Sequence, residues 1–269
     1  MIIAANKSRY WRRLCSVYKT LVRHVSLAGI HAIALLAGVS CGEKPLSVDD
    51  LVDRNVNAMG GAAALHAVQS VKIDLHIVDP GFEVNGSYYA ARPGKMRIDI
   101  TAGGKHVYTE AFNGNRGWQW KGEGDPVAES AKATAALRHG VELPGNLFGL
   151  DEVRQRGAKL ELVGREHVDG INYYLLNISL ADGYSTTLYI DPNTWFITRR
   201  RDVRPLHVDI DPTPTSIERR SSDFRQVEGV MFPFASLELD LKSGKELERA
   251  TINSITLNPP IEPSFFDRL

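Results

Sequence analysis

The sequence predicts a mainly β protein (α+β) with a few helices, organised on a long antiparallel run of strands. Three observations carry this. Residues 160–201 (LELVGREHVDGINYYLLNISLADGYSTTLYIDPNTWFITRRR) read as four strands joined by tight turns. Asp169-Gly170 and Asp182-Gly183 are Asp-Gly pairs between β-rich runs, and Asp191-Pro192-Asn193-Thr194 suits a type I turn. Second, from Val71 onward β-rich segments follow one another with Gly, Pro, Asn and Asp between them and no composition break. Third, residues 171–180 place Tyr174, Leu176, Ile178 and Leu180 on one face and Ile171, Tyr173 and Leu175 on the other. A sheet with one wet face alternates apolar and polar residues, so this strand expects cover on both sides.

Taken in order, residues 1–24 are basic and residues 25–39 (VSLAGIHAIALLAGV) are apolar, the length of a signal-peptide core and short for a membrane span. The run ends in Gly38-Val39-Ser40-Cys41, which resembles a bacterial lipoprotein signal with Cys41 as the lipid attachment residue. Plain cleavage after Ser40 and an uncleaved anchor are the alternatives. All three place the domain outside the cytoplasm, in the periplasm or on the periplasmic face of a membrane. The expected division is a signal peptide at 1–40 and one domain at 41–269.

Ser47 is placed to cap a helix from Val48 to Met59, with Asp49 and Asp50 in its first turn. Gly60-Gly61 interrupts it, and a second short helix follows over 62–68. Candidate strands lie at 71–79, 82–91, 95–101, 106–112 and 117–120. Val127 to His139 is Ala-rich with helical spacing and a thin apolar stripe. Residues 142–150 (ELPGNLFGL) then expose Leu143, Leu147, Phe148 and Leu150 among Pro and Gly, and Asp151 starts a last short turn to Arg156. After the central meander, 205–215 reads as a loop, and strands follow at 216–226, 231–242 and 246–257. That makes eleven or twelve strands.

Composition narrows the function. The chain has 269 residues and 32 basic against 32 acidic side chains, but residues 1–44 hold seven basic and one acidic, leaving 25 against 31 for the rest. A mildly acidic domain without a basic stripe argues against nucleic acid. The two cysteines, Cys15 and Cys41, precede the domain, which removes a Cys-ligated metal, a thiol nucleophile and an internal disulfide from it. No nucleophile elbow, P-loop, dinucleotide fingerprint or His-Glu-x-x-His occurs, so neither catalysis nor a cofactor is expected. His207, Asp209 and Asp211 would share a face on a strand, but the surrounding prolines favour a solvated loop over a metal site. The arginines at 199–201, 204, 219 and 220 are expected to pair across strands with Glu238, Asp240, Glu246 and Glu248, the alternative being contact with lipid headgroups.

Several fragments in order resemble the outer-membrane lipoprotein-sorting family, the LolA-like proteins: GGAAALHAVQSVKI from Gly60, FNGNRGW from Phe112, LVG with VDG at 162–170, YIDPNT from Tyr189, and SDF with V, GV and FPF at 222–234. The resemblance covers about residues 46–269. It implies an unclosed, strongly bent antiparallel β-barrel of about 11 strands with covering helices, whose concave apolar face holds acyl chains of lipids or lipoproteins, with no catalytic residues. It requires no charged pocket. Candidate cavity or lid residues are then Trp118, Trp120, Leu143, Leu147, Phe148, Tyr174, Leu176, Ile178 and Leu180. The expected role is transport or sorting of lipids or lipoproteins in the bacterial cell envelope by a monomer, membrane-associated if Cys41 is lipidated. The alternative is an envelope sensor or interaction module that binds a protein or glycolipid in the same cleft.

Overall fold

The structure, a computed structural model, describes residues 45–206 and 208–267. Cys41, the signal segment and His207 lie outside the described residues.

The chain opens with helix α1 (Val48–Ala58). Ser47 caps it: its Oγ accepts from Asp50 N at 3.1 Å, while the Asp50 carboxylate accepts from Ser47 N at 3.0 Å. This reciprocal box satisfies two otherwise unpaired amides. Leu51, Val52, Asn55 and Val56 form the buried stripe of α1. A short α2 (Ala62–Ala67) follows. Gly60 between them has φ +122°, and a Cβ there would meet Gly229 O at 2.2 Å. Glycine is therefore required where the helical hairpin presses on the sheet.

Thirteen strands follow: β1 (Ser70–Asp79), β2 (Phe82–Ala91), β3 (Lys95–Ala102), β4 (Lys105–Phe112), β5 (Gly117–Trp120), β6 (Val127–Ala128), β7 (Lys159–Val168), β8 (Ile171–Ser179), β9 (Ser185–Ile190), β10 (Ile197–Arg204), β11 (Thr215–Val227), β12 (Val230–Asp240) and β13 (Glu246–Leu257). They form one antiparallel sheet in the order β6-β5-β4-β3-β2-β1-β13-β12-β11-β10-β9-β8-β7. The sheet does not close: β6 and β7 are its two edges. The expected unclosed, bent β-barrel is what forms, with thirteen strands in place of eleven or twelve. The added strand is β6, inside the segment read as helix. The helix there, α3 (Ala131–Glu142), starts later, at the Ser130 cap. A last short helix, α4 (Leu150–Gln155), is capped at Gly149, two residues ahead of the cap expected at Asp151.

The turns explain the register. Asp169 (φ +48°) and Gly170 (φ +83°) both take the left-handed region that a two-residue type I′ hairpin needs. Gly183 N donates to Leu180 O, and Leu180 N donates to Tyr184 O at 2.8 Å, giving a longer loop around Asp182-Gly183. The turn after Asp191 is also wider than the predicted type I: Trp195 N donates to Asp191 O, with Trp195 at φ +63°. A non-glycine residue tolerates that conformation only when its surroundings hold it. Here Asn55 Nδ2 donates to the Trp195 carbonyl at 2.8 Å, and the indole stacks on Tyr174 at 5.6 Å.

The two faces of the sheet differ. The inner face carries the core, with Val71, Ile73, Ala90, Phe112, Leu176, Ile178, Leu188, Ile190, Phe232 and Leu257 packed against Leu51, Val56, Leu65 and Val153 of the helices. On the outer face the 3-10 turn Pro263–Phe266 covers β2 to β5, where Phe265 packs edge-on against Tyr89 at 4.8 Å. The two-sided strand β8 is thereby accounted for: Leu176 and Ile178 enter the core, while Tyr173 is buried on the outer face beside Tyr189.

Candidate ligand-binding site

Side-chain alternation splits the three consecutive arginines of β10 between the faces. Arg199 and Arg201 point outward. There Glu218 of β11, fully buried, accepts from Arg199 Nη1 at 2.8 Å, Arg201 Nε at 2.5 Å and Arg220 Nε at 2.6 Å. Asp169 takes the other arm of Arg199, and Glu166 accepts from Arg201 at 2.9 Å and from the Tyr189 hydroxyl at 2.7 Å. Three cations thus face three carboxylates at hydrogen-bond distance. Burial opposes the Glu218 charge, but Arg220 and Arg201 hold its carboxyl below the usual range.

Arg200 points inward, and the strand register sets Arg219 of β11 directly opposite it. This pair is loosely compensated. Arg200 Nε lies 3.7 Å from Asp202, and Arg219 Nη1 lies 3.8 Å from Glu238, outside hydrogen-bond range. Both carboxylates are already engaged. Asp202 accepts from the Tyr184 hydroxyl at 2.5 Å, and Glu238 takes Arg204 Nη2 at 3.1 and 2.9 Å. Burial pushes the Arg200 guanidinium down and raises the Glu248 carboxyl, which neighbouring Glu238 raises further.

Arg200 and Arg219 line a cavity of about 170 Å³. Apolar walls come from Met59 and Leu65 of the helical hairpin and from Leu188, Ile197, Phe224 and Met231 of the sheet, with polar lining from Asn55, Asn146, Arg199 and Ser221. Phe148, from the segment that joins α3 to α4, and Leu150, at the start of α4, close it. The inner face is therefore not apolar throughout, as the family resemblance leads one to expect; it has an apolar half under α1 and α4 and a polar patch around Arg200, Arg219 and Glu238. Tyr88, whose hydroxyl burial pushes up to about 12, bonds Asn146 of the same segment.

That segment differs from its sequence reading. Leu143, Leu147, Phe148 and Leu150 are not exposed: all four are at most 6% accessible and belong to the core. Their Pro- and Gly-rich setting suggests a solvated loop, but the open side of the barrel needs apolar cover, and these side chains supply it. Arg92 fastens the segment. Its guanidinium bonds both Glu152 oxygens and the Leu147 carbonyl (3.1 Å), and it lies 4.8 Å from the Phe148 ring, which Arg156 approaches to 4.0 Å.

The predicted site residues separate accordingly. Leu176 and Ile178 sit in the core with Leu143, Leu147 and Phe148, and Tyr174 and Leu180 pack at its margin. Trp118 and Trp120 do not face the cavity. Phe112 points into the core, so Trp118, paired with Ala111 on the adjacent strand, points to the outer face. Its Nε1 donates to the Phe266 carbonyl at 2.9 Å, while half-buried Trp120 packs on His106 at 4.8 Å. Period-two alternation links the two tryptophans but does not say which face they share. The sequence offers Arg200 and Arg219 as alternative headgroup contacts, but not Glu218 as the partner of their neighbours.

Two other polar clusters complete the picture. His66, Asp151 and Glu152 offer converging ligand atoms, but the Arg92 guanidinium already occupies Glu152 and disfavours a cation there. Near the β5 edge, burial and the Glu110 charge push Glu129 up to about 7, and Asp209 bonds Ser130 alongside. Asp209 here accepts from Ser130 Oγ at 2.5 Å, and the metal question at His207, Asp209 and Asp211 falls partly on His207, outside the described residues.

Neither a protein-family model nor a curated protein matches the sequence. Solved structures do match the fold. A DUF1329 family protein from Desulfovibrio piger superposes with a TM-score of 0.55 at 14% identity, covering 82% of this chain and 97% of that one. A proposed outer membrane lipoprotein-sorting protein domain from Vibrio parahaemolyticus gives 0.53 at 8% identity, covering 81% and 95%. A LolA superfamily protein from Nitrosomonas europaea gives 0.51 at 15% identity, covering 81% and 96%. With the unclosed thirteen-strand sheet and its inner helices, these likenesses show that the chain has the LolA-like fold.

Proposed function

We propose that this chain binds acyl chains of lipids or lipoproteins against the inner face of its unclosed barrel, without catalysis, in transport or sorting within the bacterial cell envelope. One observation carries the reading: the inner face is occupied by apolar side chains from a segment without regular structure, residues 143–149, anchored mainly through Arg92. Leu143, Leu147 and Phe148 fill the space an acyl chain would take. The cavity that remains, about 170 Å³, is smaller than the roughly 300–1,000 Å³ of ordinary ligand pockets. A long chain therefore enters by displacing this segment. Each buried methylene contributes about 0.8 kcal/mol, enough over a long chain to offset the lost packing.

The likeness to LolA-like folds supports a binding protein over an enzyme, and the signal-like N-terminal segment supports export. Lipidation of Cys41 would hold the domain at a membrane surface; palmitate labelling with Cys41→Ala as control decides that point. The main test is organic extraction of the purified protein followed by mass spectrometry. An acyl lipid near one-to-one stoichiometry is expected. A protein that emerges empty and takes up no fatty acid from vesicles overturns the reading.

A further inference from the structure

The inner cavity has a charge pattern that an uncharged acyl chain does not explain. Arg200 and Arg219 stand opposite each other on neighbouring strands and on the same face, an arrangement of like charges that destabilises a sheet unless something compensates it. Their nearest carboxylates are 3.7 and 3.8 Å away and are held by Tyr184 and Arg204. Among the described residues, the three guanidiniums of Arg200, Arg204 and Arg219 share two carboxylates within 4 Å, Asp202 and Glu238. Arg200 is enclosed by protein, yet 22% of its side chain remains accessible, and it lines the cavity. Met59, Phe148, Leu188, Ile197 and Met231 give the same cavity an apolar wall, beside polar lining from Asn55, Asn146, Arg199 and Ser221.

We propose that this cavity is the headgroup site for an anionic single-chain lipid, whose acid group lies between the guanidiniums of Arg200 and Arg219 while its chain runs along Phe148, Leu188 and Ile197. Guanidinium groups bind carboxylate or phosphate oxygens in paired, charge-assisted hydrogen bonds. An acid here supplies the missing negative charge, and the apolar walls select an amphiphile over a free anion. The proposal rests on the acyl-binding reading and adds the chemistry of the ligand's polar end.

The test uses the full chain with dansyl-undecanoic acid, the matched dansyl-undecanol and inorganic phosphate as competitor. The acid is expected to bind at least tenfold more tightly than the alcohol. The double substitution Arg200→Gln with Arg219→Gln should bring the ratio of acid to alcohol affinity close to one, and Arg200→Lys with Arg219→Lys should retain most of the preference. Millimolar phosphate should not displace the acid. Equal binding of acid and alcohol by the unaltered protein, a reading independent of how any variant folds, overturns the headgroup site and leaves acyl binding standing. So does an acid preference that survives the glutamine pair. Displacement by phosphate overturns the lipid assignment in favour of a free anion. Binding of neither amphiphile removes the acyl-binding reading and this proposal with it.

Discussion

Strands β10 and β11 carry arginines on both faces, and the two faces treat them differently. Outside, Arg199, Arg201 and Arg220 converge on one buried carboxylate with further acids at their free arms. Inside, Arg200 and Arg219 face a cavity with their carboxylates out of hydrogen-bond reach. A buried ion pair that is fully satisfied acts as structure, because removing one partner strands the other. A charge that is enclosed but incompletely paired costs stability and persists where something else uses it. The same residue type, one position apart, thus belongs to architecture on one face and to the candidate site on the other.

The sharpest way to break this contrast is Glu218→Gln. It leaves three guanidiniums around a neutral amide and should lower stability by about 3 kcal/mol, read as a shift in the urea midpoint; a loss under about 1 kcal/mol would mean the outer network is not structural. Next in size is Phe148→Ala, which empties the plug of the inner face and should cost about 3 kcal/mol. If the segment is only loosely seated, the cost falls well below that and hydrogen exchange at 143–149 is already fast in the unaltered protein. Arg200→Gln is expected to change stability by less than about 1 kcal/mol, since Asp202 keeps Tyr184 and Arg204 as partners. A loss as large as that for Glu218 would erase the difference between the faces.

The smallest effect is a pH slope. Burial first, and then the charge of Glu110, push the folded Glu129 carboxyl up to about 7, from the 4.5 of an ordinary glutamate. Its folded form holds a proton that the unfolded chain gives up, so stability falls as pH rises from about 4.5 to 7 and then levels off. The difference between the unaltered protein and Glu129→Gln, measured by denaturation at several pH values, should show that slope; a flat difference places Glu129 in ordinary solvent.

Much of the architecture was legible before the structure. Ser47 and Asp50 announced the first helix, and Asp169-Gly170 set a hairpin by the backbone conformation those residues permit. The failures have physical causes. β6 is two residues, Val127-Ala128, paired to β5, too short to show a period against the alanine-rich run beside it. Leu143 to Leu150 looked exposed because Pro and Gly mark irregular backbone, and irregular backbone is usually wet; covering the open side of a barrel reverses that. The arginines were expected to meet Glu238, Asp240, Glu246 and Glu248. Arg204 does bond Glu238 and Arg219 lies near it, but Asp240 serves its own turn, Glu246 holds Arg249, and the main partner is Glu218 on the adjoining strand. Alternation says that Arg199 and Arg200 part company. Only the three-dimensional register says which of them meets a carboxylate.

The order of strands has a bearing on how the chain reaches this state. Every ladder except one joins strands that follow each other directly, so two meanders, β1 to β6 and β7 to β13, can form from local hairpins. The exception is the seam of β1 with β13, where Val71 meets Leu257. Such a distant pairing carries the loop-closure entropy of nearly the whole domain. The seam is therefore the ladder with the largest chain-closure cost, and until it forms β1 and β13 present open hydrogen-bonding edges to any neighbouring chain.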